Sequence, residues 1–138
     1  MERDWGMRDV RVLLADDNAD LREMLRLSLQ LAGGFEVVAE TGDACAAIAL
    51  AAAVRPDVVL VDLLMPGRDQ VDVIGEVRRA NPEVGVVVLT GWVVEGERDR
   101  ALAGGASEYL IKAPDLMASL VPALRAAVHP RVVADAER

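Results

Sequence analysis

Residues Pro56–Gly67 read PDVVLVDLLMPG. Val58 to Val61 are an unbroken apolar run, rich in β-branched residues, that ends on the carboxylate of Asp62 and then passes through Met65, Pro66 and Gly67. A run with no polar face predicts a strand covered on both sides, as in a parallel sheet sandwiched between helices. In such sheets function gathers outside the carboxyl ends of the strands, which is where Asp62 falls.

Outward from this stretch the same unit repeats. Val10–Ala15 predicts a first strand, and Asp16, Asp17 and Asn18 are a helix-start signature before LREMLRLSLQLA, which Gly33 and Gly34 end. In that helix Arg22, Glu23, Arg26 and Gln30 share one arc and leave a wide apolar face. Phe35–Glu40 predicts a second strand, and Asp43 starts an alanine-rich helix over Ala44–Val54. After the third strand, Val71–Ala80 predicts a helix with Val71, Ile74 and Val77 on one face, stopped by Asn81 and Pro82. Val84–Thr90 is a fourth strand, apolar except for Gly85 and its final threonine, and Ser107–Ile111 is a fifth, ending at Lys112. Between them, Val93–Leu102 is the weakest helix, interrupted by Gly96. A proline deep in a helix costs about 3 kcal/mol but little in the first turn. Pro122 therefore predicts a last helix from about Leu120 to about Val128, capped by Ser119 and preceded by a looser turn over Pro114–Ala118, with a longer kinked helix as the alternative. Five strands alternating with five helices imply right-handed crossovers and a doubly wound, flavodoxin-like α/β sheet. The expected division is one domain over residues 9–129, a leader over 1–8, and a tail or the start of a linker over 130–138.

The net charge of −8 disfavours nucleic acid or an anionic membrane as a direct partner and favours proteins or cations. With Cys45 and His129 each alone there is no internal disulfide and no zinc cluster, and Cys45 is expected to be a small buried hydrophobe. No apolar stretch approaches a membrane span, so a soluble, cytoplasmic protein is expected. Fourteen of the fifteen basic side chains are arginine, which singles out Lys112 at its strand end.

Four strand ends thus carry polar residues: Asp16 and Asp17, Asp62, Thr90, and Lys112. Singly, each has a plain structural explanation as a cap, a β-former or a solvated loop residue. Together they require several coincidences on one edge. Converging carboxylates repel unless a cation sits among them, and Mg²⁺ takes a few carboxylates while keeping waters and a phosphate oxygen. An aspartate beside Mg²⁺, faced by an ammonium and a hydroxyl, is suited to attack phosphorus and become an acyl phosphate.

These residues make the chain similar to a response-regulator receiver domain of two-component signalling, from about Asp9 to Val128. The carrying motifs are Asp16-Asp17, Asp62 in DLLMPG, Thr90, and Tyr109 with Lys112 in YLIK. The resemblance implies a strand order of 2-1-3-4-5 and makes Asp62 the phosphoacceptor. It implies that Asp17, Asp62 and the Leu64 backbone carbonyl hold Mg²⁺, with Asp16 acting mostly through water. Thr90 and Tyr109 match the paired switch residues, and Lys112 the residue that pairs with the phosphoryl group. The implied donor is a histidine kinase or a phosphotransfer protein. The implied output is a changed surface on the fourth helix, fifth strand and fifth helix, where a partner or a second copy of the chain binds. The tail HPRVVADAER is loosely similar to regulators in which a helix-turn-helix DNA-binding domain follows the receiver.

Three positions depart from the family pattern. Gln70 stands where a glycine is usual after the MPG segment, and Ala113 separates Lys112 from Pro114, which leaves the isomer of that peptide open. Leu64 and Trp92, two residues beyond Asp62 and Thr90, are apolar at positions that govern water access, so a long-lived phosphorylated state is expected. Two rivals remain. A haloacid-dehalogenase-type phosphohydrolase also forms a phosphoaspartate, but Leu64 replaces its second acid. The other is a flavodoxin-like cofactor binder, which no glycine-rich phosphate loop after the first strand supports, or a receiver-shaped module that works without phosphorylation, against which the complete acid, threonine and lysine set stands.

Overall fold

The computed structural model describes residues 8–67 and 70–136. Ten elements alternate: β1 Val10–Ala15, α1 Ala19–Ala32, β2 Phe35–Thr41, α2 Ala44–Val54, β3 Val58–Asp62, α3 Gln70–Ala80, β4 Gly85–Thr90, α4 Glu97–Ala103, β5 Glu108–Ile111 and α5 Leu116–Ala136. The five strands are all parallel and lie in the order β2-β1-β3-β4-β5.

Strand periodicity divides the core. Leu13, Ala15, Val59, Val61, Val86 and Val88 face the layer of α2, α3 and α4, where Ala44, Ala47, Ala51, Val73, Ile74, Val77 and Ala101 meet them. The alternate residues Val12, Leu14, Val58, Leu60, Val87 and Leu89 face α1 and α5 through Leu25, Leu29, Leu120 and Leu124. Every residue of β3 and β4 is buried, as the absence of a polar face requires. At the amino edge, the buried Asp57 carboxylate accepts the Arg11 amide at 2.9 Å and pairs with Arg8 at 3.1 Å.

Several expectations change. Helix α5 starts at Leu116, so the longer-helix alternative holds and Pro122 lies inside it. Pro122 is exposed, whereas Leu116, Leu120 and Leu124 are buried at helical spacing. Burying a leucine is worth about 1.5–3 kcal/mol, enough for the added first turn to offset the proline's cost. The backbone stays helical to Ala136 rather than stopping near Val128. Cys45 is exposed, not buried, because the inward stripe of α2 is Ala44, Ala47 and Ala51 and Cys45 sits off it. On α1 only Leu25 and Leu29 are buried, while Met24, Leu27 and Leu31 stay exposed, so the apolar arc is wider than the sheet covers. Arg22 and Arg26, on the polar arc of α1, both pair with Glu40 of β2. There is no cis peptide among the described residues, so the bonds flanking Ala113 are trans. Most of the expected leader, residues 68–69 and the last two residues of the expected tail lie outside the described residues; α3 begins at Gln70.

Gly85 shows how tightly α5 sits on the sheet. A Cβ there would lie 2.8 Å from the Ala127 carbonyl oxygen and 2.9 Å from its Cβ. Backbone cannot swing aside as a long side chain can. Gly85→Ala is expected to destabilise the chain by about 1–3 kcal/mol, the usual cost of overpacking, measured as a lower urea midpoint with an unchanged slope. An unchanged midpoint would show that α5 moves freely on β4.

Candidate functional site

The carboxyl edge of the sheet brings the sequence-predicted residues together. β1 ends at Ala15, and the Asp16 amide still donates to Thr41 of β2 at 2.9 Å, which holds the turn into α1 on the sheet. Asn18 caps α1 by accepting the Leu21 amide at 3.1 Å, and Asp16 Oδ1 accepts the Asn18 amide at 2.8 Å. β3 ends on Asp62 itself, a residue 2% exposed. Asp62 Oδ1 accepts the Leu64 amide at 2.9 Å, so the carboxylate organises the turn that follows it. That turn is fastened to α2: the Pro66 carbonyl accepts the Ala44 amide at 3.0 Å. Gly67 lies at φ +114°, where a side chain is strained, and a Cβ there would press on Asp43 Oδ1 at 3.1 Å and Ala44 Cβ at 3.3 Å.

Lys112 follows β5 and reaches across the edge. Its Nζ lies 2.9 Å from Asp16 Oδ2 and donates to Asp62 Oδ2 at 3.2 Å. The Asp16 contact is an ion pair off the hydrogen-bond axis, so the buried Oδ2 has no aligned donor. Burial raises the Asp62 carboxyl above the usual range. The Leu64 amide and Lys112 pull it down, but the Asp16 charge adds to the rise. Burial works against the Lys112 ammonium, yet its close contact with Asp16 and the charge of Asp62 outweigh this and raise its affinity for the proton.

Asp16, Asp17 and Asp62 each place a carboxylate oxygen within 4.8 Å of the others, with Asp17 exposed toward solvent. Of these three carboxylates, Asp16 and Asp62 contact the Lys112 ammonium, and the buried Asp16 Oδ2 lacks a hydrogen bond. This oxygen-only donor set fits a hard divalent cation.

Thr90 is buried at the end of β4, its hydroxyl accepting the Trp92 amide at 3.3 Å and donating to the Trp92 carbonyl at 3.2 Å. Tyr109 of β5 is half-buried and donates to Glu97 Oε1 at 2.6 Å. Leu64 and Trp92 are 52% and 67% exposed at the rim. Sequence reading missed two participants. Arg22 donates to the Asp16 carbonyl and braces the first turn, and Glu97 holds Tyr109. Both are charged residues on helices, and their spacing in the chain carries no signal of these long-range contacts.

The family model of the response regulator receiver domain matches residues 12–123. The transcriptional regulatory protein PdtaR of Mycobacterium tuberculosis is 40% identical over 124 residues, covering 86% of this chain and 56% of PdtaR. The signal receiver domain of the response regulator NarL from Mycobacterium tuberculosis superposes with a TM-score of 0.77 at 30% identity, covering 86% of this chain and 98% of that one. A response regulator from Burkholderia pseudomallei, solved with a phosphorylated aspartic acid and a calcium ion, gives a TM-score of 0.75 at 26% identity, covering 89% of this chain and 72% of that one. The chain thus spans about half the length of curated relatives such as PdtaR. No helix among the described residues is long and apolar enough to cross a membrane. With its sheet order, its aspartate edge and these matches in agreement, the chain belongs to the response-regulator receiver domain family.

Proposed function

We propose that this domain, residues 9–129, accepts a phosphoryl group on Asp62 from a histidine kinase or phosphotransfer protein and changes the surface formed by α4, β5 and α5. The single observation that carries this reading is Lys112 Nζ lying against both Asp16 and Asp62 at the mouth of β3. An Asp62 oxygen attacks the phosphorus of a phosphohistidine; the P–O bond forms as the P–N bond breaks, and the imidazole leaves and takes a proton. Lys112 meets the charge on the transferred oxygens, and Thr90 exchanges its bonds to Trp92 for one to the phosphoryl group. Asp17, Asp62 and the Leu64 carbonyl would hold Mg²⁺, with Asp16 acting through water, and the bound cation would offset the carboxylates and the phosphoryl charge.

A dianionic group at Asp62 alters the contacts of Thr90 and Lys112, and Tyr109 follows them inward, which favours a second arrangement of α4. The partner is a protein, either an output module or a second copy meeting α4, β5 and α5. This chain itself contacts neither nucleic acid nor membrane, and it works in the cytoplasm. The calcium ion and phosphorylated aspartate of the Burkholderia regulator support the same chemistry at Asp62. The domain turns over no separate substrate and catalyses only its own phosphorylation and dephosphorylation. Leu64 and Trp92, apolar at the rim, present no group that orients a water for attack, which lengthens the life of the acyl phosphate.

Two experiments check this. With acetyl phosphate and Mg²⁺, intact-mass measurement should show the wild type gaining one phosphoryl group, and neither Asp62→Ala nor an EDTA-treated sample gaining any. A wild type that stays at its unmodified mass contradicts the reading. Phosphate release from purified phosphoprotein should be slow and should quicken in Leu64→Asn and Trp92→Glu, by up to about a hundredfold, the low end of what a group positioned for acid–base assistance contributes. Fast release in the wild type that neither substitution alters would remove the shielding role.

A further inference from the structure

Of the three acids at the carboxyl edge, Asp17 alone is exposed, so its place is set by the backbone that carries it and not by burial of its side chain. The peptide that joins it to Asp16 is held from several directions. The Asp16 amide donates to the Thr41 carbonyl at 2.9 Å, and Asp16 Oδ1 accepts the Asn18 amide at 2.8 Å. The Asp16 carbonyl, which belongs to the Asp16–Asp17 peptide itself, accepts from Arg22 Nη1. Gly42 closes on the same turn: a Cβ there would lie 3.2 Å from Asp17 Cα and 3.3 Å from Arg22 Nη1. Arg22 is aimed in turn by Glu40, which accepts its Nε–H at 3.3 Å and also pairs with Arg26. The Arg22 side chain is 21% exposed, so these charge-assisted bonds are largely sheltered from water.

We infer that Arg22 is a positioning residue for cation selectivity: by fixing the Asp16–Asp17 peptide it tilts the aspartate edge toward Mg²⁺ and away from the larger Ca²⁺. This rests on the reading above, in which that edge takes Mg²⁺. The two ions differ in what they ask of their ligands. Mg²⁺ demands near-octahedral oxygens at about 2.0–2.1 Å, whereas Ca²⁺ accepts a larger and more flexible shell at about 2.3–2.6 Å. A turn free to shift therefore loses the smaller ion before the larger one. Arginine suits this task because its planar fork reaches the Asp16 carbonyl and Glu40 together, which the single ammonium of a lysine does not reproduce.

Calorimetric titration of the unphosphorylated full chain with MgCl₂ and, separately, with CaCl₂ tests this through the ratio of the two dissociation constants. The variants are Arg22→Lys, which keeps the charge, Arg22→Gln, which removes it, and Arg26→Gln, which loosens Glu40 from its other side. In both Arg22 variants Mg²⁺ affinity should fall about tenfold, the low end of the cost of losing a partner behind a metal ligand, and Ca²⁺ affinity should fall less. The preference for Mg²⁺ then drops. A change of charge bears alike on two divalent ions, and partial unfolding lowers both affinities together, so neither moves the ratio. Arg26→Gln should leave the ratio near its wild-type value. Affinities that fall by one common factor in the Arg22 variants, or a ratio that drops as far in Arg26→Gln, would overturn the role of Arg22 while leaving the cation reading in place. A wild type that binds neither ion would contradict the cation reading itself, and the inference with it.

Discussion

The Lys112 ammonium, set between the buried carboxylates of Asp16 and Asp62, is the contact on which the rest of this structure depends. Two acids on neighbouring strand ends repel in a medium of low polarity, and the cost grows as water is excluded. The parallel sheet fixes where they stand, because β1 pairs with β3 in register up to Ala15 and Val61. The strand that bears the compensating charge is β5, at the sheet edge, whose Ile111 pairs with Thr90 of β4. The fold thus brings acids from its centre and a base from its margin to one place, leaving an excess of negative charge there.

The two sides of that place are built differently. On the β1 side, Arg22 bonds the Asp16 carbonyl and shares Glu40 with Arg26, so α1, β2 and the acidic turn are fastened by charged contacts. On the β4 side, α4 is seven residues long, lacks a side-chain cap, and follows the exposed Trp92, Val93 and Val94. Stability is unevenly distributed in folded chains, and the elements that move come from the lightly held end. A braced acidic half and a lightly held reporting half suit a site whose charge is to be read elsewhere.

Much of this was legible in the sequence. β3 and β4 are continuous apolar runs ending on Asp62 and Thr90, and such runs have few other homes than a sheet covered on both faces. The site followed because a parallel sheet puts all its strand ends on one edge. What was not legible depended on packing across the chain. The start of α5 was misplaced because Pro122 was weighed by local cost, whereas burial of Leu116 settles it. Cys45 was assigned by residue type and not by its angle on α2. Glu97 reads as an ordinary first-turn acid, and only the distance to Tyr109 reveals its second role.

The central claim is that the aspartate edge has a deficit of positive charge that a divalent cation fills, and thermal unfolding measured against Mg²⁺ concentration tests it most directly. A cation that binds the folded chain alone raises its melting temperature progressively as concentration exceeds the dissociation constant. The account predicts that rise for the wild type, and for Asp17→Asn a higher melting temperature without Mg²⁺ together with a much weaker response to it. A wild type indifferent to Mg²⁺, or an Asp17→Asn variant that responds as the wild type does, would contradict it.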